Sequence, residues 1–194
     1  MPEALDEKGT TRNWHWPGDL TAYHADLIDM LAESVTDDGI LGYASPLTAD
    51  QGAAFYEDLR RLVSRGDGLL LIGEDTLGVF GMCWVAVSTM PNCRHVAEVS
   101  KAYLKPRVRR TGAVIELVVA VCDRMLSDGV ERLRIDVREN SPAHRVWETF
   151  GFQTFGVLED YSRIDGIGHR GHFMTHSVAE LGESAQKRLA GRVP

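Results

Sequence analysis

Three arginines stand in one short segment that a strand-like run precedes and a helix-like run follows. They are Arg107, Arg109 and Arg110, and Gly112 comes directly after them. The first backbone N–H groups of a helix lack intrahelical partners and carry partial positive charge, so they attract anions. The segment therefore predicts a site for a phosphate or pyrophosphate, with an ordinary basic turn as the alternative.

Histidines and cysteines give weaker signals. His172 and His176 lie two pleats apart on a predicted strand, with His169 before them, which is too sparse for a metal site, and we predict none. Cys83 lies in an apolar strand and Cys122 on the apolar stripe of a helix, so both thiols are expected to be buried and unreactive.

Four helices are predicted to position these side chains, because apolar residues recur at helical spacing. They cover residues 18–35, 48–66, 112–129 and 141–151. The third would begin at Gly112, so the arginine segment would lie at its amino end.

Six β-type runs alternate with these helices. They cover residues 68–73, 77–87, 95–105, 131–137, 152–158 and 168–177. The first two form a predicted hairpin, and the helix at 112–129 joins two strands into a βαβ unit whose strands pair in parallel. This order predicts a three-layer α/β fold with a mixed central sheet.

Composition excludes several classes of protein. The chain has 194 residues, 44% of them hydrophobic and 25% charged, which is typical of a globular protein and not of a disordered or membrane-spanning one. A net charge of −7 without a basic block argues against a nucleic-acid partner. The acidic first ten residues lack the apolar run of a secretory signal, so we expect a cytoplasmic location. We predict one domain at 11–181, with loose tails at 1–10 and 182–194.

The segment from Asn140 to Phe152 reads NSPAHRVWETFGF. It resembles the N-x-x-A-x-x-x-Y-x-x-x-G-F segment of the GNAT N-acetyltransferase superfamily. Residues 109–114 resemble that family's acyl-CoA pyrophosphate loop, R/Q-x-x-G-x-G/A. The likeness covers about residues 66–177, and the segments at 97–106 and 133–140 most resemble tabtoxin-resistance-type acetyltransferases.

This resemblance implies a GNAT-type fold, in which the central strands splay apart, and acetyl-CoA as co-substrate. The pyrophosphate would rest on the backbone of residues 110–114, and the pantetheine would follow the strand that ends near Leu104. The residues that the resemblance assigns to acetyl-CoA are Tyr103, Leu104, Arg109, Arg110, Thr111, Gly112, Ala113, Val114, Asn140, Ala143 and Trp147.

The resemblance also implies that a carboxylate takes a proton from the acceptor amine. Glu98 and Asp136 are the two acids expected nearest the gap, and burial or mutual repulsion would favour the protonated form of one of them. In the alternative both are structural. Glu98 would then pair with Lys101 or a neighbouring arginine, and Asp136 would pair with Arg134 or cap a loop.

Two positions depart from the family pattern. Trp147 stands where many members carry a tyrosine that protonates the leaving thiolate, and an indole N–H cannot do this. Val114 stands where Gly or Ala is usual, so its side chain either narrows the pocket or packs into the helix interface. Other candidate proton donors are Tyr103, Ser141, His144 and Tyr161.

Three functions fit the resemblance. The first is acetylation of a small metabolite, amino acid or antibiotic-like amine. The second is a GNAT-fold protein with lost or altered chemistry that acts as a binding or regulatory module, and the third is acetylation of a protein N-terminus or lysine. Residues 14–65 would select the acceptor, and their aromatic side chains either line its pocket or pack in the core. These are Trp14, Trp16, Tyr43 and Phe55. A homodimer is also implied as possible by the family.

Overall fold

A mixed sheet of eight strands runs through the centre of the chain, in the order β1-β2-β3-β4-β5-β6-β8-β7. The computed structural model describes residues 4–5, 11–37, 41–43 and 45–191. The strands are β1 (Ala4–Leu5), β2 (Thr11–His15), β3 (Leu69–Asp75), β4 (Gly78–Val87), β5 (Val96–Leu104), β6 (Arg132–Arg138), β7 (Gln153–Ile164) and β8 (Ile167–Ser177). The helices are α1 (His24–Thr36), α2 (Ala49–Arg65), α3 (Ala113–Ser127), α4 (Pro142–Thr149) and α5 (Val178–Ala190).

Helices cover both faces of the sheet. Along β3, Leu70 and Ile72 pack with the apolar residues of α1 and α2, whereas Leu71 packs with those of α3 and α5. Successive side chains of a strand point to opposite faces, so the two helix pairs form separate outer layers. The predicted three-layer α/β fold with a mixed sheet is confirmed.

Most of the predicted helices and strands are present, and capping residues define the ends of α2. The Thr48 side chain accepts a hydrogen bond from the Gln51 N–H in a capping box, and Gly66 ends α2 with φ 72°. β5 and β6 pair in parallel on either side of α3, as the βαβ prediction requires. A short 3-10 turn precedes α1, so the α-helix begins at His24 rather than at residue 18.

The C-terminal prediction is wrong, because residues 182–190 are not a loose tail. They belong to α5, whose residues Leu181, Gly182 and Ala185 are buried. The helix is polar on its outer face, and its apolar positions are small or few, so its periodicity is weak in the sequence. At the other end, Ala4–Leu5 pairs with β2, and the rest of the predicted 1–10 tail lies outside the described residues.

The N-terminal aromatic side chains contribute to packing. Trp14 is buried and meets Phe80 edge to face at 5.1 Å between ring centroids. Phe55 is buried with α1 and α2, and Trp16 and Tyr43 are partly buried against the two core clusters. The alternative in which these aromatic side chains pack in the core is therefore favoured over the one in which they line the acceptor pocket. No helix among the described residues has the length and apolar character needed to cross a membrane.

The three thiols are expected to differ in reactivity. Burial raises the pKa of both Cys83 and Cys122 to about 12, whereas Cys93 is partly exposed. At pH 8 only ~0.01% of either buried thiol would be ionised, and the thiolate is the reactive form. We expect an aromatic disulfide reagent to label one thiol per native chain quickly and three after denaturation. Cys93→Ser should abolish the fast phase, and fast labelling of a second thiol in the native protein would contradict this prediction.

Candidate active site

A gap divides the sheet between its two central parallel strands. β5 and β6 pair only over three residue pairs, Val96 with Arg132, Ala97 with Leu133 and Glu98 with Arg134. From Ser100 to Leu104, β5 pairs with β4 alone, while β6 continues its pairing with β8. The predicted splaying of the central strands is therefore present, and it begins immediately after Glu98.

A β-bulge in β5 marks the point where the strands part. Trp84 of β4 pairs with Ser100 and Met82 pairs with Tyr103, so β5 contains one more residue than β4 over this stretch. Within it, Lys101 has φ 49°, in the left-handed region that most side chains avoid. Because a bulge bends the strand that contains it, this one directs β5 away from β6.

The gap ends at the amino terminus of α3. Gly112 precedes the helix with φ 96°, and Arg110 also lies in the left-handed region with φ 65°. The first N–H groups of α3, at Ala113 and Val114, have no carbonyl four residues earlier within the helix to bond. The backbone here thus presents unsatisfied donors and the positive end of the helix dipole, as the arginine segment predicted.

Two of the three arginines in this segment hold the fold together. Arg107 forms an ion pair with Asp75 and donates to the Gly78 carbonyl over 3.1 Å. Arg109 forms an ion pair with Asp37 and donates from Nε to the Leu104 carbonyl over 2.9 Å.

Arg110 is exposed and makes no hydrogen bond or ion pair with any residue that the structure describes. The side chains of Arg107 and Arg109 are already bonded to protein groups, and the predicted contact of Arg109 with the donor stays a prediction.

The loop between β6 and α4 is built by capping. Asn140 has φ 60°, a conformation that asparagine tolerates better than most residues. The Ser141 hydroxyl accepts from the His144 N–H over 3.1 Å and donates to the Arg138 carbonyl over 2.8 Å. Ser141 is thus a helix cap. His144 is buried, with Nδ1 accepting from the Asn140 N–H over 3.3 Å, so its ring does not lie on a solvated face.

Glu98 lies at the closed end of the gap. Arg134, its register partner on β6, donates to Glu98 Oε2 from Nη2 over 2.7 Å and from Nε over 3.1 Å. The alternative in which Glu98 pairs with a neighbouring arginine is confirmed. Both side chains remain about half exposed, at 42% for Glu98 and 55% for Arg134, so the Glu98 carboxylate is reachable from solvent.

Asp136 lies on the same face of β6 as Arg134, two residues further along. Its carboxylate accepts a hydrogen bond from the Tyr161 hydroxyl, so pairing with Arg134 or capping a loop is wrong for this residue. Burial and the Asp136 hydrogen bond raise the pKa of Tyr161. Tyr161 is therefore a weak proton donor, and so is Tyr103, whose pKa burial raises to about 12.

Trp147 and Val114 both face the core. Trp147 is buried and meets Phe152 edge to face at 5.3 Å between ring centroids. Val114 is partly buried against the same core cluster, and Ala143 packs there too. The helix-packing alternative for Val114 is therefore supported.

The C-terminal histidines bond to nearby protein groups. His172 Nε2 lies 3.0 Å from Glu139 Oε1, and His176 Nδ1 lies 2.8 Å from the Ser177 carbonyl. In the described part of the chain, no three histidine, cysteine or acidic side chains are placed to hold a metal ion.

The sequence that forms this gap matches a known protein family. The acetyltransferase (GNAT) family matches residues 30–152, which is more than half of the chain and includes the gap, the arginine segment and α4. The chain belongs to the GNAT acetyltransferase family. No curated protein matches the sequence of this GNAT protein. The narrower likeness to tabtoxin-resistance-type enzymes stays a prediction.

Solved structures share the GNAT fold at low sequence identity. A putative acetyltransferase from Salmonella typhimurium, solved with acetyl-CoA, is 18% identical with a TM-score of 0.66, over 86% of this chain and 94% of that one. A phosphinothricin acetyltransferase from Sinorhizobium meliloti, in complex with AcCoA, is 18% identical with a TM-score of 0.69, over 86% and 88%. A GCN5-related N-acetyltransferase from Brucella melitensis is 19% identical with a TM-score of 0.69, over 97% and 86%.

Proposed function

We propose that this GNAT protein transfers an acetyl group from acetyl-CoA to the amine of a small metabolite, amino acid or antibiotic-like compound. The observation that carries the proposal is the gap between β5 and β6, which begins at a solvent-accessible carboxylate and ends at the open amino terminus of α3. A donor that has a thioester at one end and a pyrophosphate further along matches both ends of this gap.

Residues at the open end fit the donor pyrophosphate. The N–H groups of Ala113 and Val114 supply hydrogen-bond donors, and the exposed Arg110 supplies the positive charge that no described residue neutralises. Two solved relatives of the same fold contain acetyl-CoA, which supports the same donor here. The β5 backbone at Tyr103 and Leu104 remains a predicted contact of the pantetheine, and Asn140 remains a predicted contact of acetyl-CoA.

Glu98 is the base in this proposal. An acceptor amine is mostly protonated near neutral pH, and it cannot attack until it loses that proton. The Glu98 carboxylate accepts the proton and frees the nitrogen lone pair, while Arg134 orients the carboxylate through two hydrogen bonds. Bound acetyl-CoA supplies the activated acyl group.

Departure of the thiolate does not demand a strong acid from the protein. A thiol has a pKa of about 8.5, so its anion is a tolerable leaving group near neutral pH. The buried indole of Trp147 cannot transfer a proton. The phenols of Tyr103 and Tyr161 are poor proton donors because the pKa of each is raised. As the C–N bond forms and the C–S bond breaks, the nitrogen loses its second proton. Solvent, which reaches the half-exposed Glu98 and Arg134, is therefore assigned to take up this proton and to supply the proton of the product thiol.

Calorimetric titration with acetyl-CoA, and with CoA in parallel, tests the donor site. We expect micromolar binding to the wild-type protein. Gly112→Glu should weaken it by at least about 10-fold, because it places a negative charge and a side chain at the pyrophosphate site. Gly129→Glu is the matched control, since Gly129 also has positive φ, follows the other end of α3, and has open space where a Cβ would lie.

Either of two results would count against the proposal. Unchanged affinity in Gly112→Glu would mean that CoA binds elsewhere. A folded wild-type protein that binds no acetyl-CoA at millimolar concentration would support the alternative of a GNAT fold with other chemistry. If binding is found, release of free thiol from acetyl-CoA in the presence of candidate amines identifies the acceptor.

A further inference from the structure

An ion pair is buried beneath the arginine segment, outside the groups described so far. Arg12 of β2 and Glu116 of α3 are 5% and 6% exposed. Arg12 donates from Nε to Glu116 Oε2 over 3.0 Å and from Nη2 to Glu116 Oε1 over 2.5 Å. The guanidinium therefore binds the carboxylate through two parallel hydrogen bonds. The indole N–H of Trp14 donates to Oε2 as well, over 3.2 Å.

The same guanidinium also holds the residue before Gly112. Arg12 Nη1 donates to the Thr111 hydroxyl over 2.8 Å, and Nη2 lies 3.3 Å from the Thr111 carbonyl. The Thr111 hydroxyl donates in turn to the Val108 carbonyl over 2.7 Å. One buried side chain thus joins strand β2, the loop and the first turn of α3.

The stability of the fold alone does not explain why Arg12 and Glu116 form a buried ion pair here. A buried ion pair is often no more stabilising than apolar side chains of similar volume. The loop, however, has left-handed backbone at Arg110 and at Gly112, on either side of Thr111. Such conformations persist only where surrounding contacts fix them, and Thr111 is fixed by three hydrogen bonds.

The negative charge of Glu116 gives a second reason for its pairing with Arg12. Glu116 lies in the first turn of α3, close to the amides that would meet a pyrophosphate. An unpaired carboxylate there would repel any anion bound at the helix terminus. Arg12 neutralises it.

We propose that Arg12 and Glu116 are positioning residues for the nucleotide half of the donor. Arg12 fixes Thr111 so that the amides of Gly112, Ala113 and Val114 are arranged for the pyrophosphate before it binds. Neither residue touches the donor. This inference rests on the proposed function, since it assigns the loop to acetyl-CoA.

The double variant Arg12→Met/Glu116→Met tests the proposal, because it removes both charges and leaves none unpaired. We expect the Kd for CoA, measured by calorimetry, and the KM for acetyl-CoA to rise by about 10-fold, with kcat unchanged at saturation. The kcat/KM for S-acetylpantetheine, which lacks the nucleotide and its pyrophosphate, should be unchanged. Equal losses with both donors, or CoA affinity equal to that of the wild type, would overturn the proposal.

Two further variants separate positioning from general destabilisation. Met125→Ala removes a fully buried side chain near the far end of α3, and we expect it to lower the melting temperature without changing the Kd for CoA. Thr111→Val removes the hydroxyl that Arg12 bonds while keeping the ion pair, so it should show the same split between donors if the double variant fails to fold. A Kd increase in Met125→Ala as large as in the double variant would overturn the proposal.

Hydrogen exchange of the ligand-free protein distinguishes this inference from the proposed function. In the double variant the amides of residues 108–114 should exchange faster than in the wild type, whereas in Met125→Ala they should not. Faster exchange in a protein whose wild type binds no CoA would mean that the loop is fixed as stated but that the proposed donor is wrong. Unchanged exchange would overturn the inference itself.

Discussion

Glu98→Gln is expected to lower turnover at saturating acetyl-CoA by about 100-fold or more, the scale of a general base. The amide has nearly the shape of the carboxylate but cannot accept the proton of the acceptor ammonium. The CoA affinity should stay within about twofold, because Glu98 lies at the opposite end of the gap from α3. Steady-state thiol release and calorimetry on the same preparation measure the two quantities.

Glu159→Gln is the matched control for this variant. Glu159 also lies on the sheet and pairs with an arginine, Arg170, over 3.1 Å, but it is on β7, away from the gap. It should behave like the wild type. If Glu98→Gln turns over at the wild-type rate and Asp136→Asn loses about 100-fold, the base is Asp136 and the assignment to Glu98 is wrong.

Arg12→Met alone is expected to destabilise the protein by about 3–5 kcal/mol, the range for breaking a buried ion pair. The variant leaves the Glu116 carboxylate buried, and the hydrogen bond from the indole N–H of Trp14, on β2, is then the one that remains to it among the residues that the structure describes. The melting temperature should fall by roughly 10 °C for a chain of this size. Thermal and urea unfolding, followed by circular dichroism, measure both changes.

Glu116→Met in the Arg12→Met background should restore most of that stability. An apolar pair of similar volume has no charge to desolvate, so the double variant should unfold nearer the wild-type midpoint than Arg12→Met does. It should fall short of that midpoint only by the cost of leaving the buried Trp14 N–H without its acceptor. A control on the surface is Arg124→Met, whose partner Asp128 is about one-third exposed; its loss should change stability by less than about 1 kcal/mol. A similarly small effect of Arg12→Met would show that Glu116 is solvated or otherwise compensated.

Local rules in the sequence predicted most of the fold. The helix ends predicted at Thr48, Gly66 and Ser141 depend on capping residues within a few positions of the chain, and the structure places a helix cap at each of them. The βαβ unit and the splayed strands followed from element order and family resemblance. α5 was missed because its buried positions include Gly182 and Ala185, which give little hydrophobic signal.

The partners of charged side chains were predicted less well. Glu98 and Arg134 are adjacent in register on neighbouring strands, so an arginine partner was within reach of sequence reasoning. The partners of Asp136 and Arg109 were not. Tyr161, which meets Asp136, lies where β7 has an irregular register between Leu158 and Ser162. Asp37 reaches Arg109 across 72 positions of the chain. Neither contact follows from local pattern.

The close packing of α5 on α3 limits how the protein can be shortened or joined to others. A Cβ added at Gly182 would lie 3.2 Å from Cys122 Cβ, so the two helices touch with little room for a larger residue. A truncated gene ending near residue 181 would leave the apolar side of α3 uncovered and is expected to yield insoluble material. Affinity tags and fusion partners therefore belong after residue 190, beyond the last turn of α5.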